Sequence, residues 1–380
     1  VSVSRFFDTL RICISVQFIS TNFLTIPPIT MPITREAYRV SKAGALTNMR
    51  LTSETIPDPA ANEVIIEVRS IGLNFADIFA IMGLYSATPK GSFVPGLEYA
   101  GVVAAVGNAV SRVAVGQRVM GVVRFGAYTS HVTIDENYVM PLADDWSFEE
   151  GAAFLIPAIT AYYALVPLGA LRRGGAVLIH SAAGGVGIVA NRIAKAFNAF
   201  TIGTVGSESK VELLKREGYD QVIVRSGNTF KDMMQPLRKA LTNPDGTKRP
   251  LSLVLDSIGG NVLKASYHAL APAGRVVCFG SANMAFQGKK PPYLSLLWKF
   301  LQRPKFDPLA MIDKNKAIMG FNLIWLWEDI AELHKTIQAV QDLQLPKPLV
   351  GHTFRFDELP KAIETFQSGM TVGKVVVNVG

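Results

Sequence analysis

Cysteine is almost missing from this chain. Cys13 and Cys278 are the two among 380 residues, too few for a disulfide framework or a four-cysteine structural zinc site. Histidine is scarce too. His131, His180, His268, His334 and His352 stand at no metal-ligand spacing. Charged residues make up only 18% of the chain, and no nucleic-acid-binding module is visible, so nucleic acid is set aside as a partner. Charge is wholly absent from residues 12–34. That run is long enough to span a bilayer, but Ser15, Gln17, Ser20, Thr21, Asn22, Pro27 and Pro28 make it a poor membrane helix. Residues 1–30 also lack an initiating Met. They read either as a degraded targeting segment, Ser- and Arg-bearing and acid-poor, or as upstream sequence before a true start at Met31. Either way they are expected to be disordered and outside the fold.

What is present centres on residues 176–198. A short apolar run, 176–179, has the length and branching of a buried strand. A small-residue turn follows, then a helical pattern with Ile188, Val189, Ile193 and Ala196 on one side. Ala182, Gly184 and Gly187 keep the i, i+2, i+5 spacing of the dinucleotide fingerprint, with Ala in first place. Small residues are needed there for three reasons: the turn is tight, the backbone must approach a pyrophosphate, and the helix must pack on its strand. The helix N-terminus then offers free N–H groups and a positive dipole end.

Length suits two domains of ordinary size. From Arg35 the pattern is of short strands and turns, with candidates over 63–71, 101–106, 117–123 and 127–134. Their spacing predicts a small barrel-like β domain. Residues 146–164 read as helical, with Ser147 as N-cap and Pro157 dividing two helices. Strands over 201–205, 221–224, 251–256 and 275–279 then alternate with helices over 208–217, 229–241 and 262–270. That alternation predicts a doubly wound parallel sheet. Residues 358–367 predict an amphipathic helix and 373–379 a terminal strand. Residues 284–327 are less regular, apolar with Lys299, Arg303 and Lys305 interleaved. They suit a helical lid, a subunit contact, or a membrane-surface segment. Net charge is +8, and residues 158–344 alone carry 23 basic and 13 acidic groups, a net +10. A phosphate-bearing cofactor explains part of that excess, and an anionic membrane surface could explain the rest.

Several words carry a family resemblance. Residues 181–187, Ser-Ala-Ala-Gly-Gly-Val-Gly, resemble the cofactor loop of the zinc-free quinone oxidoreductases, within the medium-chain dehydrogenase/reductase superfamily. Gly72-Leu-Asn-Phe-Ala-Asp77, Gly83-Leu-Tyr85, Val94-Pro-Gly-Leu-Glu98, Asp256-Ser-Ile-Gly-Gly260 and Val372-Gly-Lys-Val-Val376 follow in the family's order. Met319-Gly-Phe-Asn-Leu323, with the apolar stretch before it, is most similar to the VAT-1 branch, named for a vesicle-membrane protein. The resemblance implies an α/β fold of two parts. A GroES-like catalytic domain would comprise 31–157 and 345–380, and a Rossmann NAD(P)-binding domain 158–344.

The strand over 201–205 ends without the acid that would select NAD by its ribose hydroxyls. Ser207 and Lys210 could instead hold the 2′-phosphate of NADP. Lys210 is otherwise an odd first-turn residue, since cations disfavour helix N-termini. The family uses Lys at this position, and often Tyr where Arg225 stands here. Arg225 keeps a planar phosphate-binding group available. Zinc enzymes of the superfamily place His in a Gly-His-Glu word. Here the word is Gly96-Leu97-Glu98, and leucine cannot ligate a metal. His180 ends the first Rossmann strand, where a structural hydrogen bond is expected of it. Asn74 could bond the nicotinamide amide or ribose. Tyr85 is either a donor to substrate oxygen, as the matching Tyr is in related enoyl-thioester reductases, or a packed turn aromatic with its hydroxyl in solvent. The resemblance assigns cofactor contacts to Ala182, Gly184, Gly185, Val186 and Gly187 in the loop, and to Phe279, Gly280, Phe321 and Lys374. The expected function is metal-free, NADPH-dependent reduction of a quinone or α,β-unsaturated carbonyl by a cytoplasmic homodimer. The alternative is a membrane-associated, VAT-1-like lipid-binding or trafficking protein that retains the fold.

Overall fold

Six strands between residues 176 and 320 form one sheet, every neighbouring pair of it parallel. Their order across the sheet is Gln221–Val224, Phe200–Val205, Ala176–Ile179, Leu251–Asp256, Leu270–Cys278, Ala317–Gly320. Numbered along the chain this is 3-2-1-4-5-6, the doubly wound arrangement. Its switch point lies between Ala176–Ile179 and Leu251–Asp256, and ligand crevices open there, at the carboxyl ends of the strands. All four residues of Ala176–Ile179 are buried, as a strand covered by helices on both faces requires. The computed structural model describes residues 32–227 and 229–380. The segment expected over 1–30, and the start at Met31, lie outside the described residues.

A second sheet of seven strands runs in the order Val350–Arg355, Lys374–Asn378, Glu63–Gly72, Glu98–Val106, Arg118–Val122, Val139–Pro141, with His131–Asp135 also paired to Glu63–Gly72. A separate hairpin joins Ile33–Val40 to Met49–Ile56. The strand expected over 127–134 is shorter and later, His131–Asp135. Ala127 and Tyr128 instead donate their N–H groups to Gly96 and Pro95 carbonyls, which folds that stretch over the 94–98 word.

Helix signals held where a cap was legible. Ser147 caps Phe148–Ala152 in a reciprocal capping box with Glu150, and Thr229 does the same with Asp232 at the head of Phe230–Ala240. Pro157 does not divide the helices. The break falls at Ala153 and Phe154, and the next helix is Leu155–Tyr163. Pro157 therefore sits in a first turn, where the missing N–H has no intrahelical acceptor to lose. The stretch Phe148–Leu168 is long and apolar enough to cross a membrane, yet 72% of its most apolar window is buried inside the fold. The irregular 284–327 stretch resolves into Tyr293–Leu301, Pro308–Lys314, the strand Ala317–Gly320 and a turn at Leu323–Glu328. One apolar cluster joins the two sheets. It contains Leu97, Ala100 and Met120 from the antiparallel side and Ile179, Val189 and Leu255 from the parallel side. Residues Ile33–Gly380 make one compact unit.

Candidate active site

The glycine loop leaves the central strand at His180. That imidazole is buried between Thr204 Oγ1 (2.9 Å) and Ser266 Oγ (2.8 Å), and burial pushes its pKa down to about 3. It is a neutral, structural residue. Ser181 takes φ 51°, and its hydroxyl accepts from Ser257 across the switch point at 2.9 Å. The helix Gly185–Ala196 starts at Gly184 with no side-chain cap, which leaves its first-turn N–H groups for a ligand. The three small residues differ in what they face. A Cβ on Gly187 would lie 2.6 Å from Ala182 Cα, so this position packs helix on strand. A Cβ on Gly184 would meet only Ser181 O, at 3.4 Å, so this position faces open space. Ala182 is fully buried.

At the tip of Phe200–Val205 the chain turns through Gly206 and Ser207. Ser207 caps the next turn, accepting from Ser209 N, and its hydroxyl faces Ser209 rather than a cation. Lys210 and Arg225 lie on this side of the sheet. Lys210 Nζ donates to Gly369 O (2.6 Å) and Thr371 O (2.9 Å). Burial, then the nearby Arg225, hold its pKa below the usual lysine value. Arg225 is half-buried, its Nε has no hydrogen-bond partner, and its guanidinium borders Gly206. Two cations and an orphaned N–H at a glycine turn are the donor set an anion requires.

Segment 369–374 links this corner to a second cluster. Gly373 N donates to Ala183 O at 2.7 Å, and a Cβ on Gly185 would touch Lys374 Cδ at 3.4 Å. Lys374 thus lies against the glycine loop. Its ammonium pairs with Glu98 in a buried salt bridge and donates to Asn74 Oδ1 at 2.7 Å. Asn74 Nδ2 donates to Glu98 Oε1 (3.0 Å) and Gly72 O (3.2 Å). Glu98 Oε2 accepts from Ile156 N, and burial raises its pKa against the pull of Lys374. Beneath lies Asp77, fully buried, accepting from Asn74 N (2.8 Å) and Tyr128 OH (3.0 Å). Burial pushes its pKa up to about 7. Sequence reasoning gave Asn74 and Lys374 but passed over Asp77 and Glu98, although both stand in the quoted words. The available signal was an acid inside an otherwise apolar word.

Tyr85 is not a solvent-facing aromatic. Its hydroxyl donates to Asn322 Oδ1 at 2.6 Å, and burial pushes its pKa up to about 12. Asn322 is a third residue that sequence reasoning passed over. It follows Phe321, whose ring lies 5.2 Å from Tyr163 and 6.2 Å from Phe279. A Cβ on Gly280 would meet Ser257 O at 2.9 Å, so that glycine keeps the strand end close to the switch point. Zinc does not fit. Leu97 is a buried core residue, and among the described residues no three His, Cys, Asp or Glu side chains converge on a metal position. A dinucleotide phosphate does fit, on the uncapped glycine turn and the orphaned Arg225.

Comparisons with known proteins agree with this geometry. The alcohol dehydrogenase GroES-like domain family matches residues 60–144, and the zinc-binding dehydrogenase family residues 185–339. The chain is 32% identical to the synaptic vesicle membrane protein VAT-1 homologs of zebrafish (Danio rerio) and rat (Rattus norvegicus), over 84% of its length. It spans 65% of the zebrafish protein and 78% of the rat one. A probable quinone oxidoreductase of Schizosaccharomyces pombe is 27% identical over 89% of this chain and 95% of the relative. Among solved structures, a mycobacterial protein complexed with NADPH superimposes with TM-score 0.77 at 26% identity, covering 90% of this chain and 99% of the other. The CurK enoyl reductase does so with 0.74 at 27% identity, covering 91% and 99%. The fold is thus a GroES-like part and a Rossmann part, and the chain belongs to the quinone oxidoreductase-like group of the medium-chain dehydrogenase/reductase superfamily, beside the VAT-1 homologs.

Proposed function

We propose that this oxidoreductase-family chain is an NADPH-dependent, zinc-independent reductase of quinones or α,β-unsaturated carbonyls. The observation that carries the reading is the apposition of Lys374 to the glycine loop, which brings the Asn74–Glu98–Lys374 cluster beside the cofactor turn. The proposal keeps the division into 31–157 with 345–380, and 158–344. NADPH, when bound, supplies the hydride. The chain supplies the rest. Gly184 lets backbone approach the pyrophosphate, Gly185, Val186 and Gly187 offer it first-turn N–H groups, and Lys210 and Arg225, with Ser207 alongside, neutralise the 2′-phosphate. Asn74, held by Glu98 and Lys374, orients the nicotinamide end. Phe279, Gly280 and Phe321 exclude water from it. Tyr85 stays neutral well above physiological pH, and its hydroxyl can turn from Asn322 to the oxygen that gains charge as the substrate is reduced.

NADPH oxidation screened against quinones, enones and enoyl thioesters, with and without a chelator, tests this reading. Turnover unaffected by the chelator is expected. Tyr85→Phe should lower kcat by about 10²-fold with NADPH affinity intact. A silent Tyr85→Phe would reduce Tyr85 to packing, and no turnover with any acceptor would remove the reductase reading.

One observation favours a second reading, peripheral membrane contact. Tyr293, Leu294, Leu297, Trp298, Leu301, Leu309 and Ile312 are each more than half exposed, and residues 284–327 carry seven basic and two acidic groups. Apolar side chains with basic flanks suit an anionic bilayer surface. Flotation with phosphatidylserine vesicles, lost on Leu294→Glu with Trp298→Glu, tests it. A cytoplasmic homodimer completes the proposal; light scattering of the purified chain should return twice the chain mass.

A further inference from the structure

The parallel sheet has two poles, and the one away from the glycine loop holds a cavity of its own. About 290 Å³ of space lies at the amino-terminal ends of Ala176–Ile179, Leu251–Asp256 and Leu270–Cys278. Arg172, Arg249 and Arg275 line it, and no Asp or Glu does. None of the three arginines forms an ion pair among the described residues. Two are nevertheless fixed in place, by uncharged groups. Arg249 Nη2 donates to Asn243 Oδ1 at 2.7 Å, and its guanidinium lies 3.8 Å from the centre of the Phe200 ring. Arg275 Nη1 donates to Leu168 O at 3.1 Å. A guanidinium carries five N–H donors, so each keeps most of its donors and all of its charge. Anchored, uncompensated arginines around a concavity differ from solvated surface arginines, which move freely and bind ions diffusely.

We infer that this pole binds a small soluble polyanion of the diphosphate or phosphate-ester class. Guanidinium forks match phosphate oxygens bidentately, and several such groups together select a multiply charged ligand. The volume stands at the lower end of small-molecule sites, which run from about 300 to 1,000 Å³. It suits a diphosphate or a phosphorylated sugar and is too small for a whole dinucleotide. The site is distinct from the cofactor crevice, because the same strands run from one to the other. A four-residue strand such as Ala176–Ile179 separates the two by roughly 13 Å at 3.3 Å per residue. Lys210 and Arg225 face the other pole, so these arginines account for a further part of the +10 on residues 158–344.

Calorimetric titration of inorganic pyrophosphate into the full chain at low salt tests the inference, with NADPH absent and then saturating. One equivalent should bind in both cases, and in Lys210→Ala as in wild type. Arg172→Gln should weaken it at least tenfold, as should Arg249→Gln combined with Arg275→Gln. Arg172 is exposed, so its variant should melt with wild type and keeps the test usable if the double variant misfolds. Binding that NADPH displaces, or that Lys210→Ala removes while the arginine variants retain it, places pyrophosphate on the glycine loop and overturns the inference. Absence of binding overturns it as well. Capture of phosphatidic-acid vesicles through the three arginines, without pyrophosphate binding, would assign the site to a lipid headgroup and reject the soluble class. None of these outcomes depends on the reductase reading, because the arginine and Lys210 variants separate the two poles by binding alone, without turnover.

Discussion

Lys210 has two neutral acceptors and, among the described residues, no salt-bridge partner. Its ammonium rests on the carbonyls of Gly369 and Thr371, and burial, then the nearby Arg225, lower its pKa. A phosphate dianion here would relieve repulsion between two cations as well as accept hydrogen bonds. Lys210→Ala should therefore weaken NADPH by roughly 1.5–3 kcal/mol, about ten- to hundredfold, and leave NADH nearly unchanged. Equal losses for both cofactors, by fluorescence titration, would remove Lys210 from the 2′-phosphate site. Asp77 makes a prediction about pH. Burial raises its pKa to about 7, above its unfolded value, so the folded chain holds a proton that the unfolded chain has released between about pH 4 and 7. Stability contributed through this group is present below that window and lost as pH rises through it. Asp77→Asn keeps the volume and the acceptor oxygen without the charge. Relative to the variant, wild type should lose ~4 kcal/mol on going from pH 4 to 8, from a shift of roughly three pKa units. Glu98 and Asp256 are raised too, which is why the difference between the two proteins, by denaturant titration at each pH, is the quantity to read.

The strand–turn–helix element is where sequence and structure agree most closely, and the reason is steric. A turn that brings Gly187 within 2.6 Å of Ala182 by a virtual Cβ admits one residue type, so the requirement is written in the sequence. The same geometry separates two glycines that look alike on paper. Gly187→Val should destabilise by about 1–3 kcal/mol through overpacking and abolish NADPH binding. Gly184→Ala, at φ −86° with only Ser181 O nearby, should melt with wild type and still lose NADPH affinity. A Gly184→Ala variant that binds NADPH normally would contradict the proposed pyrophosphate position. Elements without such local signals were harder to read. The hairpin Ile33–Val40 with Met49–Ile56 and the strand Ala317–Gly320 show weak alternation, because neighbours far along the chain bury or expose them. The helix break at Ala153 was hidden by Pro157, a strong signal at a position where it does no harm. In the candidate site, the glycine loop, Asn74 and Lys374 were legible as words. Glu98, Asp77 and Asn322 were not, since each has a partner between 24 and 237 residues away.

At the scale of the whole molecule, the two sheets share one apolar cluster. Unfolding either sheet would expose the other's core. A single calorimetric transition is expected, with van't Hoff and calorimetric enthalpies in agreement; two resolved transitions would show that the halves unfold separately. The bond from Gly373 to the glycine loop at Ala183 also sets an order of events during synthesis. The loop leaves the ribosome about 190 residues before the strand that locks it. Until that strand arrives, Glu98 is a carboxylate without its ammonium and the loop lacks its neighbour. For about half of its emergence the nascent chain thus carries the glycine turn without the segment that packs on it, and a premature stop before residue 374 would yield a protein with an intact glycine fingerprint and no Lys374 beside it.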